Sequence, residues 1–490
     1  MRLPAGGRLQ MRGRVAALDR KLMRRVAATD SPALDYLLPA LSRAANHGVL
    51  WMAMSAGLAV SGDKWARRAA LRGLASIAVA SATANIVAKG LTQRGRPEGE
   101  TPVLRRIIPA PVTTSFPSGH AASAAAFATG VALEMPLLAV PVGALAAAVG
   151  ASRVVTGVHY PSDVLAGFAL GAAAGAITLH WWPLRPAQPA EAARPRREAP
   201  ASPTGLGVVL TLNKAAGTAS AGLAARMQEE LPDAKIIDVP HGEDIAPLLR
   251  DAAGRARILG VAGGDGTVNL AAGIAMESGR PLLIIPAGMF NHFATDLGVH
   301  SAEDALTALR AGDAVLVDVG IAGRQHFVNT SSIGVYADLV HAREQLESGL
   351  GKWPAVLFAL ARVLRHSQPT DLVVNGRRRR LWLLFAGNCR YEPLGFAPSY
   401  RPDLSDGKLD IRIVDAGPPL ARTRLLAAVL IGTLGRSRVY KAWTATSISL
   451  ASANGEALLL SVDGEVIDAG TAPLLTKLPG GLLVYRPADT

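Results

Sequence analysis

Hydrophobic positions are distributed unevenly along the 490 residues of the chain. Long runs with few charges occupy 47–62, 69–88, 121–151 and 164–183, and their length and composition predict membrane-spanning helices. The third run carries one charge, Glu134, and as a single helix it would measure roughly 46 Å, well beyond a hydrocarbon core of about 30 Å. Proline disfavours helix in the residue before it, so Glu134, Met135 and Pro136 predict a hairpin between two shorter spans. About five spans result.

Beyond 183 the pattern changes. Residues 184–204 hold five prolines and no apolar periodicity, which predicts a linker. Continuous apolar segments at 207–212 and 258–262 alternate with helical stretches and predict buried strands of an α/β layer, about 205–319. From 320 to 488 short alternating segments dominate, among them 381–386, 408–414, 447–450 and 458–462, as expected of a β-rich lobe. The expected architecture is multidomain: an all-α membrane bundle over 1–183, a linker over 184–204, then an α/β lobe and a β-rich lobe over 205–488.

Composition narrows the partners. A single cysteine, Cys389, excludes an intrachain disulfide and a cysteine metal site. The net charge of +13 is spread over the termini, the linker and the motifs below, so an anionic membrane surface and phosphorylated substrates explain it better than nucleic acid. The arginine-rich residues 1–25 lack a following apolar core of signal type, and no cleavable signal peptide is expected.

The first chemical constellation combines Lys89 and Arg96-Pro97, then Pro117-Ser118-Gly119-His120, then Ser152-Arg153 with His159 and Asp163. Each piece lies at the end of an expected span, so antiparallel helices bring all three to one membrane face. Lys89, Arg96 and Arg153 suit the oxygens of a phosphoryl group, with Ser118 and Gly119 as further donors. A neutral histidine can attack phosphorus while a carboxylate orients its other nitrogen, and His159 with Asp163 fits that pair. His120 fits the acid that protonates the leaving alcohol and later helps activate water. Taken singly, each base reads as an interfacial anchor; two histidines and three bases at these spacings do not. The arrangement resembles the type 2 phosphatidic acid phosphatase superfamily over roughly residues 20–183. The resemblance implies a phosphohistidine mechanism without metal or other cofactor, with His159 as nucleophile, Asp163 as its orienter, His120 as acid and base, and Lys89, Arg96, Arg153 and Ser118 around the phosphate.

The second constellation is Gly263-Gly264-Asp265-Gly266-Thr267, placed between an apolar strand and a helical stretch. Glycines at such a turn let backbone approach phosphates, the helix N-terminus supplies N–H groups, and Asp265 can act through Mg2+. Alone, the pentapeptide also fits a tight structural turn. Further pieces accompany it: 213–217, Pro286-Ala287-Gly288, Asn291-His292-Phe293-Ala294, Leu297-Gly298, 406–410 and Asp463-Gly464-Glu465. Together they resemble the diacylglycerol kinase catalytic domain family over about 205–488. That resemblance implies a nucleotide lobe and a β-sandwich lobe, with ATP and lipid meeting between them. It implies that Gly263, Gly264, Asp265, Gly266, Thr267, Asn269, Asn213 and Gly217 bind ATP, and that Glu465 with Asp463 deprotonates the lipid hydroxyl. It also implies that Asp403, Asp406 and the Lys408 carbonyl hold a structural Mg2+. The chain departs from the family pattern at Met289, where threonine is usual, at Lys214, where proline is usual, and at Thr295, where arginine is common.

The expected function is a bifunctional membrane enzyme: a phosphatase for phosphatidic acid or a polyprenyl phosphate or diphosphate, joined to an ATP-dependent kinase for a lipid hydroxyl such as that of diacylglycerol. A phosphatase carrying a non-catalytic nucleotide- or lipid-sensing lobe is the alternative that Met289 motivates. ATP places the kinase in the cytoplasm, which puts the phosphatase pocket on the outer face of a multi-pass protein in the cell membrane and the basic loop 63–68 inside. The stretch 26–46, with Asp30, Asp35 and Arg43, is expected to lie in the interface.

Overall fold

Pro136 ends one helix and begins the return of the chain. The computed structural model describes residues 5–61, 64–84, 94–97, 114–186, 188–195, 198–213, 221–240, 242–288, 291–334, 368–394, 400–431 and 433–488. They fall into two units, Met1–Leu184 and Arg185–Thr490. In the first, α1 (Ala5–Ala27), α2 (Leu38–Ala44), α3 (Val49–Val60) and α4 (Lys64–Ala82) precede α5 (Gly119–Glu134), α6 (Ala139–Val155) and α7 (Pro161–Trp181). The expected hairpin is present: α5 stops at Glu134, Met135 leaves helical geometry at φ −132° and ψ 81°, and a 3-10 turn over Pro136–Leu138 leads into α6. Among the described residues two helical stretches, Pro136–Val155 and Pro161–His180, are long and apolar enough to cross a membrane. The 12 residues of α3 would rise about 18 Å, well short of a hydrocarbon core.

Helix α5 is the hub and packs on α4, α6 and α7. Small residues allow the close approach of backbones. A Cβ added at Gly171 of α7 would lie 2.1 Å from the Ala122 carbonyl oxygen, and one at Gly167 would lie 2.5 Å from that of Ser118. The single charge of the third apolar run is neutralised at the turn end of the bundle. Glu134 accepts from Arg68 Nε at 2.9 Å and from the fully buried Arg72 Nε at 2.7 Å, while Arg72 Nη1 donates to Thr178 Oγ1 at 3.0 Å.

In the second unit, β1 (Val208–Asn213), β2 (Lys235–Val239), β3 (Ile258–Gly263) and β4 (Leu282–Pro286) are parallel in the order β2-β1-β3-β4. The connecting helices α8 (Ala221–Glu230), α9 (Ile245–Arg255) and α10 (Asp265–Ser278) belong to crossovers of the kind parallel strands require. After α11 (His292–Asp296) and α12 (Ala302–Ala311) come β5 (Ala314–Ala322), β6 (Gln325–Phe327), β7 (Thr330–Gly334), β8 (Thr370–Val374), β9 (Arg377–Asn388) and β10 (Leu409–Asp415). Helix α13 (Ala421–Ile431) precedes β11 (Tyr440–Ala445), β12 (Ser447–Ser452), β13 (Leu459–Val462), β14 (Glu465–Asp468) and β15 (Leu474–Tyr485).

Two features differ from the sequence expectation. The boundary placed at 319/320 falls within β5, which pairs along β15, and β15 in turn touches both β4 and β12; composition does not reveal strands that serve two lobes. The stretch 184–204 is not a free tether throughout. Ala190 N donates to the Asp296 carbonyl at 2.8 Å, Leu404 N to that of Glu191 at 2.7 Å and Leu316 N to that of Ala193 at 2.8 Å, and Ala190 and Ala199 are buried. Extended backbone leaves its polar groups free, and neighbouring segments of the second unit satisfy them.

Candidate active sites

His159 lies in the loop between α6 and α7, and its orientation is set by backbone. Its Nδ1 is 2.7 Å from the Ser115 carbonyl oxygen, whereas the nearest Asp163 oxygen is 3.9 Å away. A carbonyl only accepts, so Nδ1 carries the proton and Nε2 keeps its lone pair. Burial, then the charges of Arg96 and Arg153, depresses the imidazole to about 3, which leaves it neutral at pH 7.

Asp163, expected to orient His159 directly, stands one step back. Its Oδ1 accepts from Arg94 Nη1 at 2.7 Å; Oδ2 accepts from Tyr160 N at 2.9 Å and from the Ser115 hydroxyl. Ser115 therefore joins the carboxylate to the imidazole, its hydroxyl held by one and its carbonyl holding the other. Arg96 Nη1 donates to the Val158 carbonyl at 2.7 Å, next to His159 in sequence. Arg153 Nη1 donates to Ser42 Oγ at 2.5 Å, and its buried Nε has no hydrogen-bond partner among the described residues. Ser118 caps α5 by accepting from Ala121 N at 3.4 Å, and its own N–H donates to the Asp163 carbonyl at 3.0 Å. His120 Nε2 is 2.9 Å from Asn46 Oδ1, and the ring lines a cavity of about 350 Å³ with His47, Trp51 and Ser123. Lys89 lies outside the described residues.

In the second unit Gly263 ends β3, Gly264 caps α10 and Asp265 is its first residue, the strand-to-helix turn the motif predicts. A Cβ at Gly288 would come 2.4 Å from Gly264 Cα, so the two loops meet where neither carries a side chain. Asn213 Nδ2 donates to Thr267 Oγ1 at 2.9 Å and ties the end of β1 to the loop. Gly264, Asp265, Gly266, Thr267, Asn269 and Asn213 line one cleft of about 670 Å³ together with Glu465. A Cβ at Gly266 would lie 3.6 Å from Glu465 Oε1, so this carboxylate overhangs the loop. Gly217, Lys214 and Met289 lie outside the described residues.

Asp463 occupies a different position from Glu465. In the left-handed region at φ 47°, it turns its carboxylate to the backbone N–H groups of Val328 at 2.8 Å, Asn329 at 3.0 Å and Thr330 at 2.6 Å. It pins the β6 to β7 connection and does not line the cleft. The loop expected to hold a structural Mg2+ is engaged internally. Asp403 Oδ1 accepts from Ser405 N at 2.7 Å, Asp406 accepts from Lys408 N at 2.8 Å and Arg390 N at 2.9 Å, and the Lys408 carbonyl accepts from Cys389 N at 3.0 Å. Lys477 Nζ, almost wholly buried, lies 3.4 Å from Asp318 Oδ2 and 3.9 Å from Asp406 Oδ1. Asp318, Cys389 and Asp406 each bring a potential ligand atom within 4.8 Å of the others, beside this ammonium.

Sequence reasoning missed Ser42, Asn46, Arg94, Ser115 and Asp19. Only Arg94 carried a local signal, two residues before the arginine of Arg96-Pro97.

Residues 69–187 match the PAP2 superfamily and residues 207–322 the diacylglycerol kinase catalytic domain. A decaprenylphosphoryl-5-phosphoribose phosphatase of Mycobacterium tuberculosis is 37% identical over 153 residues, 31% of this chain and 82% of that protein. A probable lipid kinase, YegS-like, of Pseudomonas fluorescens is 29% identical over 248 residues, 49% of this chain and 80% of that one. Among solved structures, a putative diacylglycerol kinase from Bacillus anthracis covers 57% of this chain and 97% of its own at 21% identity, with a TM-score of 0.44.

Proposed function

Because the chain belongs to the PAP2 superfamily through its helical unit and carries a diacylglycerol kinase catalytic domain in its second unit, we propose that it is a bifunctional membrane enzyme. One half hydrolyses a lipid phosphate or diphosphate, and the other phosphorylates a lipid hydroxyl with ATP. The observation that carries the first half is the bond from His159 Nδ1 to the Ser115 carbonyl, which leaves Nε2 as nucleophile. Nε2 attacks phosphorus, the bond to the leaving oxygen breaks, and His120 supplies its proton. Water then attacks the phosphohistidine, giving its proton to His120 and releasing phosphate. Arg96, Arg153 and Lys89 offset the charge on the phosphoryl oxygens.

In the second unit the N-terminus of α10 and its glycines receive the ATP phosphates. Asp265, on the cleft wall, is the carboxylate that would hold a Mg2+ accompanying them, and such an ion offsets charge on the transferred group. Glu465 takes the proton of the lipid hydroxyl as its oxygen attacks the γ-phosphate, and ADP leaves. Asp463 positions the turn that carries Glu465. A second reading, a lobe that binds nucleotide or lipid without transferring phosphate, is favoured by Met289, which lacks the hydroxyl usual there.

The candidate substrates are phosphatidic acid or polyprenyl phosphates for the phosphatase and diacylglycerol for the kinase. We place the kinase unit in the cytoplasm and the phosphatase pocket on the outer face of the cell membrane. Detergent-purified protein given labelled ATP and a lipid panel, and separately phosphatidic acid and a polyprenyl phosphate, tests both halves. Label in no lipid supports the second reading, and no phosphate release from any lipid phosphate overturns the phosphatase.

A further inference from the structure

The matched PAP2 region begins at residue 69, yet a carboxylate far upstream is built into the site. Asp19 of α1 is 2% exposed, and both its oxygens point at the start of α7 and at Arg94. Oδ1 accepts from Ser162 N at 3.0 Å, and Oδ2 from Ser162 Oγ at 2.6 Å and Arg94 Nη2 at 2.7 Å. The other arm of the guanidinium, Nη1, donates to Asp163 Oδ1 at 2.7 Å and to Ser162 Oγ at 2.8 Å, and Arg94 Cζ lies 4.2 Å from the centre of the Tyr160 ring. One guanidinium thus holds two buried carboxylates in a fixed fork, which a lysine could not do.

We infer that α1 completes the phosphatase site and that Asp19, acting through Arg94, is a positioning residue for Asp163 and His159; this rests on the phosphatase reading above. The route is continuous. Asp19 fixes Arg94, Arg94 and the Ser115 hydroxyl fix Asp163, and the Ser115 carbonyl fixes the tautomer and tilt of His159. Charge gives Asp19 a second task. Arg94 sits two residues from Arg96, and two carboxylates keep it on the protein side of the site. With Asp19 neutral, Arg94 keeps one carboxylate, the Ser162 hydroxyl and the Tyr160 ring and turns more readily to the incoming phosphate, which loosens Asp163. The hydrogen bonds of Asp19 go to Ser162 and Arg94, whereas Arg96 bonds the Val158 carbonyl and Arg153 bonds Ser42, so binding and turnover should separate.

The test uses the full-length protein in detergent, with phosphatidic acid and a polyprenyl phosphate as substrates and orthovanadate as the phosphate analogue. Asp19→Asn should lower kcat about 10- to 100-fold while KM and the vanadate inhibition constant stay within about 3-fold, as expected of lost orientation without lost binding. Asp30→Asn, an exposed acid near the end of the same segment, should match wild type. If Asp19 works through Arg94, the double variant Asp19→Asn/Arg94→Gln is no slower than Arg94→Gln alone. Multiplying rate losses, or an Asp19→Asn enzyme with wild-type kcat per vanadate-binding site, would overturn the inference. Should Asp19→Asn not fold, Ser162→Ala, which removes one anchor of the carboxylate, must show the same split between kcat and KM. Wild-type protein that hydrolyses neither substrate sinks the phosphatase reading and this inference together. Activity that His159→Asn abolishes and Asp19→Asn leaves intact removes the inference alone.

Discussion

The Ser115 carbonyl accepts from His159 Nδ1 at 2.7 Å, a backbone contact across 44 residues of sequence. It holds the ring in the tautomer that nucleophilic attack requires. His159→Asn should therefore abolish phosphate release from lipid phosphates, by at least about 1000-fold, while transfer of label from ATP to lipid is unchanged. A phosphorylated intermediate trapped in wild type and absent in the variant is the accompanying observation.

The same ring links stability to acidity. Its folded value of about 3 lies below the ordinary 6.5, so the unfolded chain binds the proton first as pH falls. The stabilisation from the neutral ring is complete above pH 6.5 and is lost as pH falls toward 3, by up to about 1.4 kcal/mol per pH unit. Thermal unfolding in detergent between pH 7.5 and 4.5 should show this decline, and His159→Asn should flatten it. An unchanged slope in the variant counts against the assignment.

Glu465, and not Asp463, overhangs the Gly263 to Thr267 loop. Glu465→Gln should reduce lipid phosphorylation about 100- to 10,000-fold with nucleotide affinity intact, as loss of a general base does. Asp463→Asn should instead lower the melting temperature of the second unit, because it weakens three backbone anchors at once. Equal effects of both variants on phosphorylation rate and on melting temperature would contradict this division.

Gly171 and Gly143 provide a matched pair in the helical unit. Alanine at 171 drives a methyl group into the Ala122 carbonyl, whereas alanine at 143 meets nothing within 4 Å. Gly171→Ala should cost about 1–3 kcal/mol and Gly143→Ala should be neutral or slightly stabilising. Melting curves in one detergent compare them directly.

Arg401 Nε donates to Asp296 Oδ2 at 2.8 Å in a fully enclosed setting, with Nη1 on the Val328 carbonyl and the Phe293 and Tyr391 rings alongside. Arg401→Met leaves Asp296 buried without its cation and should destabilise the second unit by about 3–5 kcal/mol. Chemical denaturation of the full chain, followed by a reporter in that unit, reads this out.

What the sequence disclosed was local. Glu134 and Pro136 announced the hairpin because proline chemistry acts on its own neighbour, and the Gly263 to Thr267 turn was legible because strand, glycines and helix are contiguous. Asp19 and Ser115 were not legible. Each is an ordinary residue whose task comes from a partner brought close by helix packing, and no periodicity marks it. The partner of β5 was not legible for a related reason: it pairs with a strand more than 150 residues downstream.

That strand also sets an order of events. β15 closes against β4, β5 and β12, all of which precede it in the chain. During synthesis the helical unit can emerge and assemble while the second unit still lacks the strand that joins its halves. The helical unit can thus be complete before β15 has been made. A chain cut before residue 474 lacks the strand that pairs with β4, β5 and β12, so a stop there should impair any lipid phosphorylation and leave phosphate release from lipid phosphates in place.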